Sequence, residues 1–394
     1  MQRKVPELSL KRRDAGERLA HGHPWVWREA LGQGLQGVEA GDEVQVLAPD
    51  GAAVGRGLAD PASPIAVRLW TRGRSPVDAA LFQDRVARAC QLRRDLVERP
   101  GTTAYRVLHG EGDRMPGFVV DRYGPIAVLR TDGEGATARV NDLVKALWPQ
   151  LEGWGVTSLV HRLGDKGQPF RLEVLRGHAA PDTLAVQEGG LTFVVDLARG
   201  QKTGAFLDQR CNREHVRSHA SGRRVLNLYS YAGGFSLFAA AGGAAHVTSV
   251  DVAAAAHATA QASFRASGVD PSKHAFVTAD VRAFLEDARK RGDRWDLVIS
   301  DPPSFAPSEK AVPRALTAYR GLHRGCADVL TRGGTLYAAS CSSHVDAAAF
   351  LSTLDDASLG RDDLRLLEVR GAGPDHPTLP AFPEGRYLKL AILA

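Results

Sequence analysis

Cysteine is scarce in this chain: Cys90, Cys211, Cys326 and Cys341 are the only four among 394 residues, and no two form a C-x-x-C pair. Disulfide scaffolds and zinc ribbons need denser, regularly spaced cysteines, so both are excluded and no metal site is read from the spacing. Long apolar runs are lacking too. The opening Met1-Gln-Arg-Lys-Val-Pro-Glu7 has no apolar core of leader-peptide length. Val225 to Val250 carries no Asp, Glu, Lys or Arg, yet it is interrupted by Asn227, Ser230, His246, four glycines and two tyrosines. That falls short of the ~20 mainly apolar residues of a spanning helix. Repeats and low-complexity tracts are missing, and neither sign of charge dominates: 50 basic against 45 acidic residues leave +5. With these absences, a soluble cytoplasmic protein with reduced thiols is the default expectation. The small positive balance permits a nucleic-acid partner without demanding one.

What is present is ordinary globular composition, 44% hydrophobic, in a chain long enough for two or three domains. Three blocks follow one another. Residues 1–74 read as short strands at Glu43–Leu47, Ala53–Leu58 and Ile65–Trp70, separated by Pro49-Asp-Gly51 and Asp60-Pro61 turn signals. A small β-rich module is expected there. Lys11, Arg12 and Arg13 precede His21-Gly-His-Pro-Trp-Val-Trp27, a mixture of cations and aromatics suited to phosphates and bases; a core role for Trp25 or Trp27 stays open. Residues 75–185 alternate helix and strand as an α/β domain, with Glu111, Asp113 and Asp121 read as structural acids. Residues 186–394 alternate strands at Arg224–Leu228, His246–Asp251, Ala275–Thr278, Trp295–Ser300 and Thr335–Cys341 with helices, including one at Asp346–Asp355. That is the pattern of a doubly wound sheet, with ligands expected beyond the carboxyl ends of the strands. The expected fold class is α/β, with a small β-rich module at the N-terminus.

The chemistry lies in that third block. The first strand runs into Tyr229-Ser-Tyr-Ala-Gly-Gly-Phe235, whose glycines Gly233 and Gly234 allow close backbone approach to a ligand. The second strand ends at Asp251, placed to bond a ribose hydroxyl, and the third leads to Asp280. The loop is not G-x-G-x-x-G, which disfavours NAD. Three polar groups at successive strand ends fit another adenosine-containing cofactor, although each aspartate alone could be a helix cap. The fourth strand delivers Asp301-Pro-Pro-Ser-Phe305. Pro302 and Pro303 stiffen the turn, so that Asp301 can grip the polar edge of a base while Phe305 covers its face.

With Asp301-Pro-Pro at the fourth strand, the Tyr-x-Gly-Gly-Phe loop and Asp251, the chain resembles the class I S-adenosylmethionine-dependent RNA methyltransferases. The likeness narrows with Lys202-Thr-Gly-Ala-Phe-Leu-Asp-Gln-Arg210, Asn227–Phe235, Ala339-Ser-Cys-Ser342, Asp375-His-Pro and Pro383-Glu-Gly-Arg-Tyr-Leu-Lys389. With His23-Pro-Trp-Val26 and Gly110-Glu-Gly-Asp113, these resemble the large-subunit rRNA cytosine-C5 methyltransferases that carry an N-terminal PUA domain. The resemblance spans essentially the whole chain. It implies a PUA barrel, a middle α/β domain and a Rossmann-like methyltransferase domain, with 23S rRNA as substrate and S-adenosylmethionine as donor. Gln209, Arg210, Tyr229, Ser230, Gly233, Gly234, Asp251, Asp280 and Asp301 are the expected cofactor residues. Lys11, Arg12, Arg13, Trp25, Pro302, Pro303 and Phe305 are the expected RNA contacts, and a homodimer is compatible with all of this.

Cys341, at the end of the fifth strand, is the expected nucleophile. Cytosine C5 is a poor nucleophile until a thiolate adds to C6 and makes C5 enamine-like. Asp301 would stabilise the charge that develops on the ring. In another RNA cytosine-C5 family a second cysteine assists release; Ser304 stands in that place here. Cys90, Cys211 and Cys326 read as structural. Two rivals remain open at this point: methylation of a guanine nitrogen or exocyclic amine on the same fold, which needs no thiol, and a non-catalytic RNA-binding assembly factor.

Overall fold

The computed structural model describes residues 5–164 and 170–394. The first four residues, read above as too polar for a leader, lie outside the described residues. The chain forms two compact units. One comprises Met1–Leu184, Asp196–Leu207 and Pro374–Gly385; the other comprises Ala185–Val195, Asp208–Gly373 and Arg386–Ala394.

The first unit holds two five-stranded sheets. In the N-terminal one, Glu7–Ser9, Glu43–Leu47, Ala53–Ala59, Ile65–Leu69 and Trp25–Trp27 lie side by side in that order around Leu8, Val26, Val44, Val46 and Val67. A helix at Arg13–Ala20, not read from the sequence, follows Lys11 and Arg12 directly. The other sheet runs Ala104–His109, Phe118–Tyr123, Ile126–Thr131, Ser158–Leu163 and Arg171–Arg176 in chain order. Helices Ala79–Leu96 and Val140–Gly153 cover it through Phe82, Val86, Leu143 and Leu147. Leu58 and Trp70 from the N-terminal module are buried in this same cluster, so deleting residues 1–74 would open its core.

The acids of the middle segment are held by cations. Asp113 takes both arms of the fully buried Arg93 at 2.7 and 2.8 Å. Asp121 takes both arms of Arg106 at 2.8 and 2.9 Å. Such buried pairs are costly to break because one charge is left alone. The Gly110-Glu-Gly-Asp and Asp375-His-Pro motifs meet here as well. Arg93 donates to the Asp375 carbonyl, and a Cβ on Gly112 would lie 1.8 Å from the Pro377 carbonyl oxygen.

The second unit is built on a seven-stranded sheet. We label its strands β1 (Arg224–Leu228), β2 (His246–Asp251), β3 (Ala275–Thr278), β4 (Trp295–Ser300), β5 (Leu330–Ser340), β6 (Leu366–Arg370) and β7 (Lys389–Leu393). Their order is β3-β2-β1-β4-β5-β7-β6. The first five are parallel, and the mostly buried β1, β2, β4 and β5 are what a sheet covered on both faces requires. The sheet is doubly wound as expected, with β7 inserted antiparallel beside β5. Five helices flank the sheet: α1 (Arg210–His219), α2 (Gly234–Ala241), α3 (Ala254–Ala266), α4 (Val281–Arg291) and α5 (Val312–Val329). The helix expected at Asp346–Asp355 is instead two short ones, Ala347–Leu351 and Asp356–Leu359. The Asp346 and Asp355 side chains each cap a new helix start and thereby divide the segment. Chain order reverses between β1 and β4, which puts the expected ligand crevice at their carboxyl ends.

On α5, His323 is fully buried between Tyr319 and Phe350. Its Nδ1 meets Thr353, and burial pushes its pKa down to about 4. The unfolded chain therefore binds this proton near pH 6.5 and the folded chain only near pH 4. Stability falls as pH drops through that window, by roughly 1.4 kcal/mol per unit, roughly 3 kcal/mol in all. Urea midpoints of the native protein and His323→Phe, compared at pH 7 and 5, should show a steeper loss in the native protein. Equal slopes would contradict this account of the histidine.

Candidate functional site

The turn after β1 is tightly wound. Tyr229, Tyr231 and Gly233 all have left-handed backbone, at φ 56°, 45° and 74°. Asp251, at the end of β2, holds this turn: Oδ2 accepts from the Tyr231 amide at 2.8 Å and Oδ1 from the Ala253 amide at 2.9 Å. Each oxygen keeps a second lone pair for a ligand hydroxyl. The Ser230 hydroxyl is buried without a hydrogen-bond partner. Asp280 is exposed and caps α4, accepting from the Arg282 and Ala283 amides through Oδ1 at 3.0 and 3.1 Å. The glycines have an internal reason beyond the ligand approach expected from the sequence. A Cβ on Gly233 would lie 2.6 Å from the Ala260 Cβ on α3, and one on Gly234 would lie 3.0 Å from the Arg213 side chain. Arg213 is itself fixed there by Glu188, in a buried pair at 2.8 and 2.6 Å.

Two further turns leave β4 and β5 and converge. Strand β5 ends at Ser340, so Cys341 lies one residue beyond the strand and is half-buried. Its Sγ is 3.9 Å from the carbonyl oxygen of Pro302, the residue after Asp301. The Ser304 hydroxyl donates to Ser342 Oγ at 3.1 Å, which donates to the Ala306 carbonyl at 3.3 Å. Below them the Tyr319 hydroxyl donates to Ser340 Oγ at 2.9 Å. The Tyr319 ring packs on Phe305 at 4.8 Å, with Pro302 buried and Pro303 exposed.

Asp301 is oriented from the start of α1. Gln209 Nε2 donates to Asp301 Oδ2 at 3.0 Å, while Gln209 Oε1 accepts from Asn212 at 2.6 Å. Arg370, on β6, donates to the Asn212 oxygen at 3.1 Å. Gln209, expected at the cofactor, thus touches Asp301 directly. Tyr319, Arg370 and Lys389 were not singled out from the sequence, because each acts through a neighbour on another element; nor was Asn212, which links Gln209 to Arg370. Tyr387 joins two of the sequence motifs by donating to Asp208 at 2.6 Å. Burial pushes the Cys90 and Cys326 thiols up to about 12, so neither ionises near neutral pH.

In the first unit, Lys11, Arg12 and Arg13 are exposed, and Arg12 pairs with Asp14 at 2.9 Å. Trp25 is half-buried. Its indole donates to Glu111 at 2.7 Å, and its ring meets Phe382 edge-on at 4.7 Å. Among the described residues no cluster of three or more His, Cys, Asp or Glu is placed to hold a metal, and no helix is long and apolar enough to cross a membrane.

Comparison with known proteins gives the site its context. Residues 159–381 match the S-adenosylmethionine-dependent methyltransferase family, and residues 9–72 match a PUA-like domain. Ribosomal RNA large subunit methyltransferase I from Aliivibrio fischeri is 35% identical over 376 residues, covering 94% of this chain and 95% of its own length. The protein of that name from Photobacterium profundum is 35% identical over 390 residues, covering 97% and 96%. A solved structure from Streptococcus mutans, described as a candidate S-adenosylmethionine-dependent methyltransferase, shares the fold. Its TM-score is 0.86 at 24% identity, over 99% of this chain and 100% of that one.

The residues at the β1–β3 edge fit such a cofactor. The partnerless Ser230 hydroxyl supplies a hydrogen-bonding group inside the turn, and Asp251 supplies spare lone pairs beside it. The turn tolerates no side chain at Gly233. In Gly233→Ala the left-handed backbone costs about 1–2 kcal/mol and the overpacking against Ala260 costs about 1–3 kcal/mol more. Calorimetry should show a lowered melting temperature and weakened cofactor binding; an unchanged melting temperature would contradict the packing described.

Proposed function

This chain belongs to the ribosomal RNA large subunit methyltransferase I family of S-adenosylmethionine-dependent enzymes, and we propose that it forms 5-methylcytosine in 23S rRNA through a covalent adduct on Cys341. The observation that carries this reading is the meeting of two strand-end turns, which sets the Cys341 sulfur 3.9 Å from the carbonyl of the residue after Asp301. A nitrogen methyltransferase would need the carboxylate but have no use for the thiol.

The Cys341 thiolate adds its electron pair to cytosine C6, forming a C–S bond. The C5=C6 electrons move toward N3, and Asp301 meets the developing charge by holding a proton there. Gln209, by donating to Oδ2, fixes the aim of that carboxyl group. S-adenosylmethionine, when bound, supplies the methyl group that C5 takes. Loss of the C5 proton then restores the C5=C6 bond and expels the thiolate. Phe305, backed by Tyr319, covers one face of the base, and the buried Pro302 keeps the turn from yielding. Tyr229, Ser230, Gly233, Gly234, Asp251 and Asp280 would hold the cofactor, together with Arg210 at the start of α1. The Ser304 hydroxyl serves to stitch its turn to Ser342. The enzyme works in the cytoplasm, on rRNA that the N-terminal module helps to bind.

Cys341→Ala should abolish methyl incorporation into rRNA while S-adenosylmethionine affinity stays within about twofold of normal, because the sulfur faces the base. Tritiated-methyl transfer and calorimetry on the folded variant check both halves. Near-normal incorporation would overturn the covalent route in favour of nitrogen methylation.

A triple Lys11→Ala/Arg12→Ala/Arg13→Ala variant should bind rRNA more weakly yet bind cofactor normally. The slope of log affinity against log salt should fall by about 0.7–0.9 for each phosphate that the variant no longer neutralises. An unchanged slope in a filter-binding salt series would remove these cations from the RNA surface.

A further inference from the structure

Lys389 opens β7 in a strand that is buried from end to end, and only 5% of the residue is exposed. A lysine ammonium in such a place needs a reason, because burying a charge is costly unless it is compensated. Antiparallel pairing sets Lys389 opposite Ser340, the residue before Cys341. Its Nζ donates to the carbonyl of Ser342, the residue after Cys341, and to the carbonyl of Val345, both at 2.6 Å. The side chain thus starts across from one neighbour of the cysteine and ends on the other.

We propose that Lys389 is the positioning residue of the Cys341 thiol: its ammonium pins the turn that carries the sulfur and provides the fixed positive charge beside which the thiol ionises. The inference rests on the reading of Cys341 as nucleophile. Two carbonyl dipoles account for two of the three N–H donors of an ammonium. The acidic groups that pull on Lys389 are Cys341 and Asp346. Asp346 is exposed and already caps the helix at Ala347–Leu351, accepting from the Ala349 amide at 2.8 Å. Solvent screens that carboxylate, which leaves the half-buried Cys341 sulfur as the less screened partner. Tyr319, reaching Ser340 from α5, is pushed up to about 12 by burial and stays neutral. Asp301 is the remaining acid on the adjoining turn, and Gln209 occupies one of its oxygens. Burial lowers the Lys389 pKa to about 8, so the ammonium persists through neutral pH. A cation beside a thiol raises its thiolate fraction, and the thiolate is the form that attacks.

The test is the pH dependence of Cys341 alkylation by iodoacetamide in the full-length protein, followed by peptide mass spectrometry. In the native protein the apparent pKa should lie below the ordinary value of about 8.5; a value at or above it overturns the proposal without any variant. Lys389→Met, checked for folding by its melting curve, should raise that pKa by about one unit, a tenfold loss of thiolate at neutral pH. It should lower kcat for methyl transfer about tenfold and leave S-adenosylmethionine affinity unchanged. An unaltered alkylation profile and kcat in folded Lys389→Met would remove the lysine from this role while leaving the cysteine mechanism intact. Methyl transfer by Cys341→Ala would instead remove the cysteine mechanism itself.

Discussion

Two turns that leave neighbouring parallel strands must lie against each other for this site to exist, and a short chain of hydroxyls holds them there. Ser304 donates to Ser342 and Ser342 donates to the Ala306 carbonyl, so the Asp-Pro-Pro turn and the Ser-Cys-Ser turn behave as one surface. The register below sets their relative height: Ser300 of β4 pairs with Ala338 of β5. Asp301 therefore emerges as β4 ends while β5 continues to Ser340, and the cysteine follows at once. Each bond is modest, about 1 kcal/mol net. Their value lies in holding a sulfur and a carboxylate at fixed aim, the preorganisation on which covalent and electrostatic catalysis both depend.

Support for that surface comes from elements with no reacting group of their own. The β6 residue Arg370 orients Asn212, which orients Gln209, which orients Asp301. On the far side Tyr319 ties Ser340 to α5 and backs Phe305. Strand β7 contributes Lys389 beneath the cysteine turn. The antiparallel insertion of β7 next to β5 is what makes this reach available, because it sets the first residue of β7 opposite the last residue of β5. The edge proposed to hold the cofactor is organised separately, by Asp251 holding the left-handed turn after β1.

Much of this was legible in the sequence because parallel strands buried on both faces announce themselves as short apolar runs, and glycine, proline and aspartate punctuate their ends. All five parallel strands and the positions of Asp251, Asp280, Asp301 and Cys341 emerged that way. The illegible parts share one cause: they depend on partners far away in the chain. Nothing local to Gln209 says that it meets Asp301, and nothing local to Lys389 says that it reaches past Cys341. Gly233 and Gly234 looked like room for a ligand, yet a side chain there would also strike Ala260 and Arg213. The strand Arg171–Arg176 escaped notice because its apolar alternation is only four residues long and most of its side chains are exposed.

The central claim is that a carbon–sulfur bond to Cys341 lies on the reaction path, and one measurement addresses it most directly. The native enzyme is incubated with S-adenosylmethionine and an rRNA fragment in which 5-fluorocytosine replaces cytosine, then digested and analysed by mass spectrometry. Fluorine cannot leave C5 as a proton does, so the account predicts a stalled adduct that carries the methyl group and is attached at Cys341. A folded, cofactor-competent enzyme that transfers methyl groups to natural rRNA but leaves no adduct at Cys341 with the fluorinated RNA would contradict it.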